Sequence, residues 1–199
     1  SAWGTFIGLF CLNYIWYFLV TWLPTYLIEG RGFSREEMTR LGSLPFFATA
    51  ISTVIAGFVS DRLIKAGKSV TAVRKSFVAS GLVLCGALLF ASSKSADANI
   101  ALTLIIAGCT AFGLSTSNNW AMTQSLAGKQ GAATWTGFQN AFGNMAGIAA
   151  PWLTGWTVKQ TGNYSMAFAI AAGVVMIGAL SYALVVGRLE PTRWRSTQA

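Results

Sequence analysis

The 199-residue sequence contains no histidine and only three cysteines, Cys11, Cys85 and Cys109, each embedded in an apolar run. Zinc sites and Cys/His catalysis need histidine partners or clustered thiols, so both are excluded, and isolated thiols at such depth argue against disulfides. Charge is scarce as well: 10% of residues are Asp, Glu, Lys or Arg, against about 25% in a soluble domain. The acidic residues are Glu29, Glu36, Glu37, Asp61, Asp97 and Glu190, all at or beyond the ends of apolar runs, and Lys and Arg avoid the run centres too. With no buried carboxylate and no base to activate a serine, an intramembrane enzyme is excluded. No catalytic residue, cofactor or metal is expected. Nor is a signal peptide evident, and the first residue is Ser, so a fragment or a processed chain is expected.

What is abundant is apolar side chain, 54% of residues. Six stretches are long enough to cross roughly 30 Å of hydrocarbon as helices: Trp3–Ile28, Met38–Val59, Lys75–Ser92, Asn99–Gln124, Ala132–Lys159 and Tyr164–Val186. The fold class expected is an all-α membrane protein: residues 1–187 as one six-helix bundle, residues 188–199 as a mobile cytoplasmic tail without apolar period. The net charge of +8 is no sign of nucleic acid, because its distribution is that of a membrane protein. Arg62, Lys65, Lys68, Arg74 and Lys75 fall in the second connection, Lys129 in the fourth, and Arg188, Arg193 and Arg195 in the tail. The other side holds Arg31, Arg35, Arg40, Lys94 and Lys159, with Glu29, Glu36 and Glu37 among the first three. The excess of cations predicts that the second and fourth connections and both chain ends face the cytoplasm. Ser34 and Glu37 have capping-box spacing at the start of a helix. Gly143 and Gly147 form a small-xxx-small pair before Pro151, where a bend is expected.

The polar residues inside the spans are neutral. On a wheel of about 100° per residue, Thr116, Asn119, Trp120 and Thr123 fall on one arc of span four, with Ser117 and Gln124 at its edge. Asn118 points the other way, toward a neighbouring helix. Span five groups Thr136, Gln139, Asn140, Gly143 and Gly147, with Asn144 at the edge; span one groups Phe10, Asn13, Tyr17, Thr21 and Pro24. Each such residue alone suits interhelical hydrogen bonding. Unpaired amides in hydrocarbon cost several kcal/mol, so three such faces together predict a shared aqueous cavity. Its amides, hydroxyls and rings suit a molecule with many hydroxyls.

"GFVSDRLIKAGKSVTAVRK", with Gly57, Asp61 and Arg62 ahead of a basic loop, resembles the G-x-x-x-D-R-x-G-R-R loop motif of the major facilitator superfamily. The match is partial, since Leu-Ile-Lys-Ala-Gly-Lys follows Arg62. Gly57 would allow close helix contact, and Asp61 could accept charge-assisted hydrogen bonds from a helix terminus or an Arg, holding one conformation closed. "WYFLVTWLPTYL", "NNWAMTQSLA", "TGFQNAFGNMAG" and "GALSYALVVG" resemble the C-terminal six helices of the anion:cation symporters, which include galactonate, glucarate, hexuronate and phthalate carriers. The resemblance covers essentially the whole chain. It implies one half-bundle of a twelve-helix major facilitator fold, and proton-driven uptake of a small organic anion, a sugar acid in several members, by alternating access. It also implies substrate contacts at Ser117, Asn119, Trp120 and Asn140, to which the wheel adds Tyr17 and Asn13. The conformational gate falls on Gly57, Asp61 and Arg62. The implied partners are the substrate anion, protons, the lipid bilayer and a missing N-terminal six-helix half that holds the coupling carboxylates. A stand-alone six-helix protein, or a homodimeric carrier of uncharged polyols, is the alternative.

Overall fold

The computed structural model describes residues 1–192 and 194. With no water in a bilayer core to satisfy N–H and C=O groups, apolar stretches of this length must close their hydrogen bonds internally. They do so here as helices. Helix α1 (Ala2–Thr25) ends in a wider π-helical turn, Tyr26–Gly30; α2 (Arg35–Leu41) is short; α3 (Leu44–Lys65) and α4 (Val70–Lys94) follow. Then come α5 (Ala98–Asn144), α6 (Ala146–Thr161) and α7 (Ser165–Leu180), the last continued by a second π-helical turn, Ser181–Val185. Among the described residues, five helical stretches are long and apolar enough to cross a membrane, because Ala98–Thr161 runs on for 64 residues.

That long stretch is not straight. Gly128 has φ 65° and ψ 176°, outside the helical region. Such a backbone is essentially reserved for glycine. Thr123 Oγ1 donates to Gln139 Oε1 at 2.8 Å, although sixteen residues of continuous helix would separate them by about 24 Å. The chain therefore doubles back at Gly128, laying a second arm of α5 (129–144) against the first (98–127). Gln139 Nε2 also donates to Thr5 O at 3.3 Å, and Trp135 Nε1 to Thr5 Oγ1 at 3.1 Å. One buried polar seam thus ties both arms of α5 to α1.

Elsewhere the helices meet through small residues. The buried stripe of α3 is Pro45, Thr49, Ser52, Ala56 and Ser60, while Phe47, Ile51, Val54 and Phe58 are exposed. This inversion, with large side chains outward, suits a lipid environment where close backbone approach drives packing. Thr49 Oγ1 reaches Cys109 O at 3.0 Å, and Ser115 Oγ reaches Val78 O at 3.0 Å. All three cysteines are free and buried.

The second predicted span starts later than the sequence suggests. Residues 38–41 belong to α2, and a turn at Gly42–Ser43 precedes α3. The capping box explains this local start: Glu37 N donates to Ser34 Oγ, and Ser34 N donates to the Glu37 carboxylate. The latter bond holds the Glu37 carboxyl below its ordinary pKa.

The tail corrects another expectation. Its part within the described residues is pinned rather than mobile; Arg193 and Arg195 lie outside those residues. Leu189 N donates to Thr71 Oγ1 at 3.0 Å, Thr192 N to Leu126 O at 2.8 Å, and Trp194 Nε1 to Ala127 O at 2.7 Å. The Trp194 ring stands edge-on to Trp135, over Gly131, where any side chain would collide with the indole. These are backbone hydrogen bonds and one aromatic anchor, which carry no apolar period. Replacing Gly128 by Ala is expected to cost about 1–3 kcal/mol through backbone strain. Trp194→Ala, at a position 41% exposed, should cost about 1–2 kcal/mol, less than truncation of a fully buried Trp. Thermal denaturation of the full-length protein in detergent measures both, and tail proteolysis should accelerate in the second.

Candidate functional site

Four of the six predicted contact residues reach the exposed face of the bundle. Asn13 and Trp120 border a cleft of about 290 Å³ between α1, α3 and the first arm of α5, together with Trp16, Phe46, Thr49 and Thr116. Trp16 and Phe46 pack edge to face across it, with ring centroids 5.6 Å apart. Thr49 and Thr116 spend their hydroxyls on backbone carbonyls. Asn13 and the two indoles are not committed in this way; among the described residues none of the three has a hydrogen-bond partner. Tyr17 and Asn140 lie on the adjoining face between α1 and the second arm, joined through Asn144. The Tyr17 hydroxyl donates to Asn144 Oδ1 at 2.6 Å, and Asn144 Nδ2 donates to Asn140 O and Oδ1 at 2.8 and 3.0 Å. Asn13 links the two groups: its Nδ2 lies beside Gly143, where a Cβ would sit 3.2 Å away. Asn144, which the wheel left at an edge, is thus the centre of the polar chain.

The other two lie elsewhere. Asn119 is 1% exposed and accepts from the Tyr182 hydroxyl of the second π-helical turn, while its Nδ2 has no partner among the described residues. The wheel puts Asn119 and Thr123 on the cleft arc because it treats each helix as isolated. The doubled-back second arm covers Thr123, and α7 covers Asn119. Ser117 faces α3 next to Gly57, its buried Oγ likewise unpartnered among the described residues.

The three predicted gate residues meet different fates. Asp61 is paired with an Arg of the neighbouring helix: Arg74 Nη2 lies 2.6 Å from Asp61 Oδ1. Arg74 Nη1 donates to Ser60 Oγ and to Asn118 Oδ1, each at 3.0 Å. This places Asn118 against a neighbouring helix, as its side of the wheel indicated, and the guanidinium joins α3, α4 and α5. Arg62 is exposed and makes no side-chain hydrogen bond among the described residues. The signal that could have found Arg74 is its position in the basic loop, where it reads as one cation among five. Gly57 is not the tight point of the α3–α5 contact. A Cβ there would meet Ser117 Oγ at 3.5 Å, ordinary contact, whereas one at Gly113 would lie 2.7 Å from Thr49 O and overlap Ser52.

The site as a whole is uncharged. All six acidic residues are exposed and lie at or beyond helix ends, and no group of His, Cys, Asp or Glu able to hold a metal occurs among the described residues. Chemically the face can hydrogen-bond hydroxyls and stack against sugar carbons, but it offers no cation to a carboxylate.

Comparison with known proteins gives this arrangement a context. The family described as Major Facilitator Superfamily matches residues 1–151. A probable galactarate/D-glucarate transporter of Bacillus subtilis is 32% identical over 94% of the chain, which covers 41% of that relative. A hexuronate transporter of the same species is 33% identical over 89% of the chain and 42% of its own length. A D-galactonate transporter of Escherichia coli is 28% identical over 94% of the chain and 43% of its own length. The chain therefore spans about four tenths of the length of the curated relatives it matches.

Two glycine substitutions separate the packing roles. Gly57→Ala is expected to change stability by less than about 0.5 kcal/mol. Gly113→Ala should cost about 1–3 kcal/mol, because backbone lies in the way and must shift. Thermal melts of the two variants, side by side in one detergent, give the ranking.

Proposed function

Because the chain belongs to the major facilitator superfamily, we propose that it is one six-helix half of a twelve-helix carrier of small organic anions, sugar acids first among them. The family is one of transporters, not enzymes, and the chain is a multi-pass membrane protein. The doubling back at Gly128 turns five apolar stretches into six traverses, the number that returns both chain ends to one side. The cation-rich end carries the α3–α4 loop, the Gly128 turn and both described chain ends, so it faces the cytoplasm of a bacterial inner membrane by the positive-inside rule.

The observation that carries the reading is the uncharged polar face formed by Asn13, Tyr17, Trp120, Asn140 and Asn144, on a chain whose relatives carry the names of sugar-acid transporters. Amides and a phenol bind the hydroxyls of the substrate, and the indoles cover its apolar ring or chain carbons. The carboxylate and the coupling protons fall to the other half, since an intramembrane ionisable group is the usual proton carrier and this chain has none. Asn119, fixed by Tyr182, orients the first arm of α5 behind Trp120. Alternating access comes from rocking of the two halves about this face. The Asp61–Arg74–Asn118 network locks the cytoplasmic end of this half.

Uptake by the full-length protein in proteoliposomes tests the assignment. Asn13→Ala, Trp120→Ala and Asn140→Ala are each expected to raise KM about 5- to 30-fold, the equivalent of about 1–2 kcal/mol for one lost hydrogen bond or stacking contact. Unchanged KM in all three sinks the site. Asp61→Asn should lower kcat while leaving the pH dependence of uptake intact; loss of proton coupling in that variant would place the coupling group in this half and overturn the division.

A further inference from the structure

A second pocket, of about 750 Å³, opens at the cation-rich end between the start of α4 and the end of α7. It is unrelated to the cleft, which lies between α1, α3 and α5. It is lined by Lys75, Arg188, Glu190 and Ser76 together with Ala72, Ala79 and Ala183. We propose that this groove is a phospholipid site that selects an ethanolamine headgroup.

The gradient of side chains along the groove follows a lipid from headgroup to acyl chain. From Ser69 to Ala79 the pocket runs ten residues down α4, about 15 Å of helix. Its charged residues and hydroxyls all precede Ala79 on α4 or follow Ala183 after α7, toward the cation-rich end. One turn further in, Val83 and Leu180 are exposed, 39% and 55%. Ser181, beside Leu180, is buried and donates its hydroxyl to Gly4 O.

The pocket wall is held in place by specific bonds. Lys75 donates from Nζ to Val186 O at 2.6 Å, leaving further ammonium protons for a ligand. The Leu189 N–Thr71 Oγ1 bond fixes the backbone between Arg188 and Glu190. Neither Arg188 nor Glu190 forms an ion pair among the described residues. A phosphate diester between Lys75 and Arg188 satisfies both cations. Glu190 on the same rim repels a simple phosphate, and it turns from a liability into a contact when the headgroup brings its own protonated amine. A primary ammonium can donate to that carboxylate; a choline cannot, and a glycerol headgroup brings no charge.

The test is lipid exchange on the full-length protein in nanodiscs of equimolar phosphatidylethanolamine, phosphatidylcholine and phosphatidylglycerol, with retained lipid read by native mass spectrometry. The wild type is expected to retain phosphatidylethanolamine at least fivefold over the other two. Glu190→Gln should abolish that preference while still holding phospholipid, and Arg188→Gln should lower retention of all three classes. Both side chains are exposed, so folding is not at stake, and the difference from wild type isolates this site from lipid bound elsewhere. Retention in Arg188→Gln equal to wild type, or an unchanged preference in Glu190→Gln, overturns the proposal. So does displacement of the lipid by millimolar inorganic phosphate or soluble glycerophosphoethanolamine, which would make the groove a site for soluble phosphates.

Discussion

The hydrogen bond from Thr123 to Gln139 is the contact on which the arrangement of this bundle depends. It fixes the two arms of α5 side by side after the reversal at Gly128, and Gln139 passes the connection on to Thr5 of α1. Both oxygens and the amide are fully buried, so in an apolar medium they have no partner but one another. A helix pair held only by small residues could slide by a turn at little cost. This pair cannot, because any slip leaves a carboxamide, a hydroxyl and the Trp135 indole unpaired at once. The register of the second arm, and with it the position of Asn140 and Asn144 opposite Asn13 and Tyr17, follows from that seam.

A second consequence is the separation of polar groups by role. Those that hold helices together are shielded from solvent and bonded to one another: Thr123, Gln139, Thr5 and Trp135 in the seam, and Ser60 and Asn118 on the Arg74 guanidinium, whose Nε alone has no partner among the described residues. Those on the exposed face are bonded in part, if at all, and to one another: Tyr17, Asn144 and Asn140 in a chain, Asn13 beside it. Asn144 is oriented by the phenol it accepts from and by the two bonds it donates to Asn140, while Asn140 Nδ2 and Asn13 keep their donors, so the face is organised before a ligand arrives, which lowers the ordering cost of binding.

Much of this was legible in the chain. The apolar stretches, the short connections and the capping box at Ser34 all depend on local composition, and the structure places the helices within about six residues of the expected bounds. The start of α3 was missed because Met38 and Leu41 extend the apolar run through a helix that is separate. What periodicity could not supply was occlusion. A wheel gives the direction of a side chain from its own helix axis and says nothing of what lies in that direction. Asn119 and Trp120 are neighbours on the arc; one meets Tyr182 and the other meets open space. Arg74 escaped for the opposite reason: its pairing depends on α3 and α4 lying side by side, and only the tertiary fold brings Asp61, Ser60 and Asn118 within reach of one guanidinium. The tail escaped because it docks through backbone groups and a single indole.

The distribution of ties also bears on how the proposed carrier would move. Within this half, α1, α5 and α7 share the seam and the Asn119–Tyr182 contact, α3, α4 and α5 share Arg74, and the tail fastens α4 to the Gly128 turn. At the opposite end Arg31 joins Tyr26 to the carbonyls of Ser92 and Ser95. Every helix that borders the cleft is thus cross-linked by buried polar contacts to a helix that does not. Opening the cleft by bending one helix away would break several of these at once, each leaving an unpaired group in an apolar setting. Displacing the half as a body breaks none of them. The neutral exposed face has no such bonds to a neighbour, and it is where relative motion costs least.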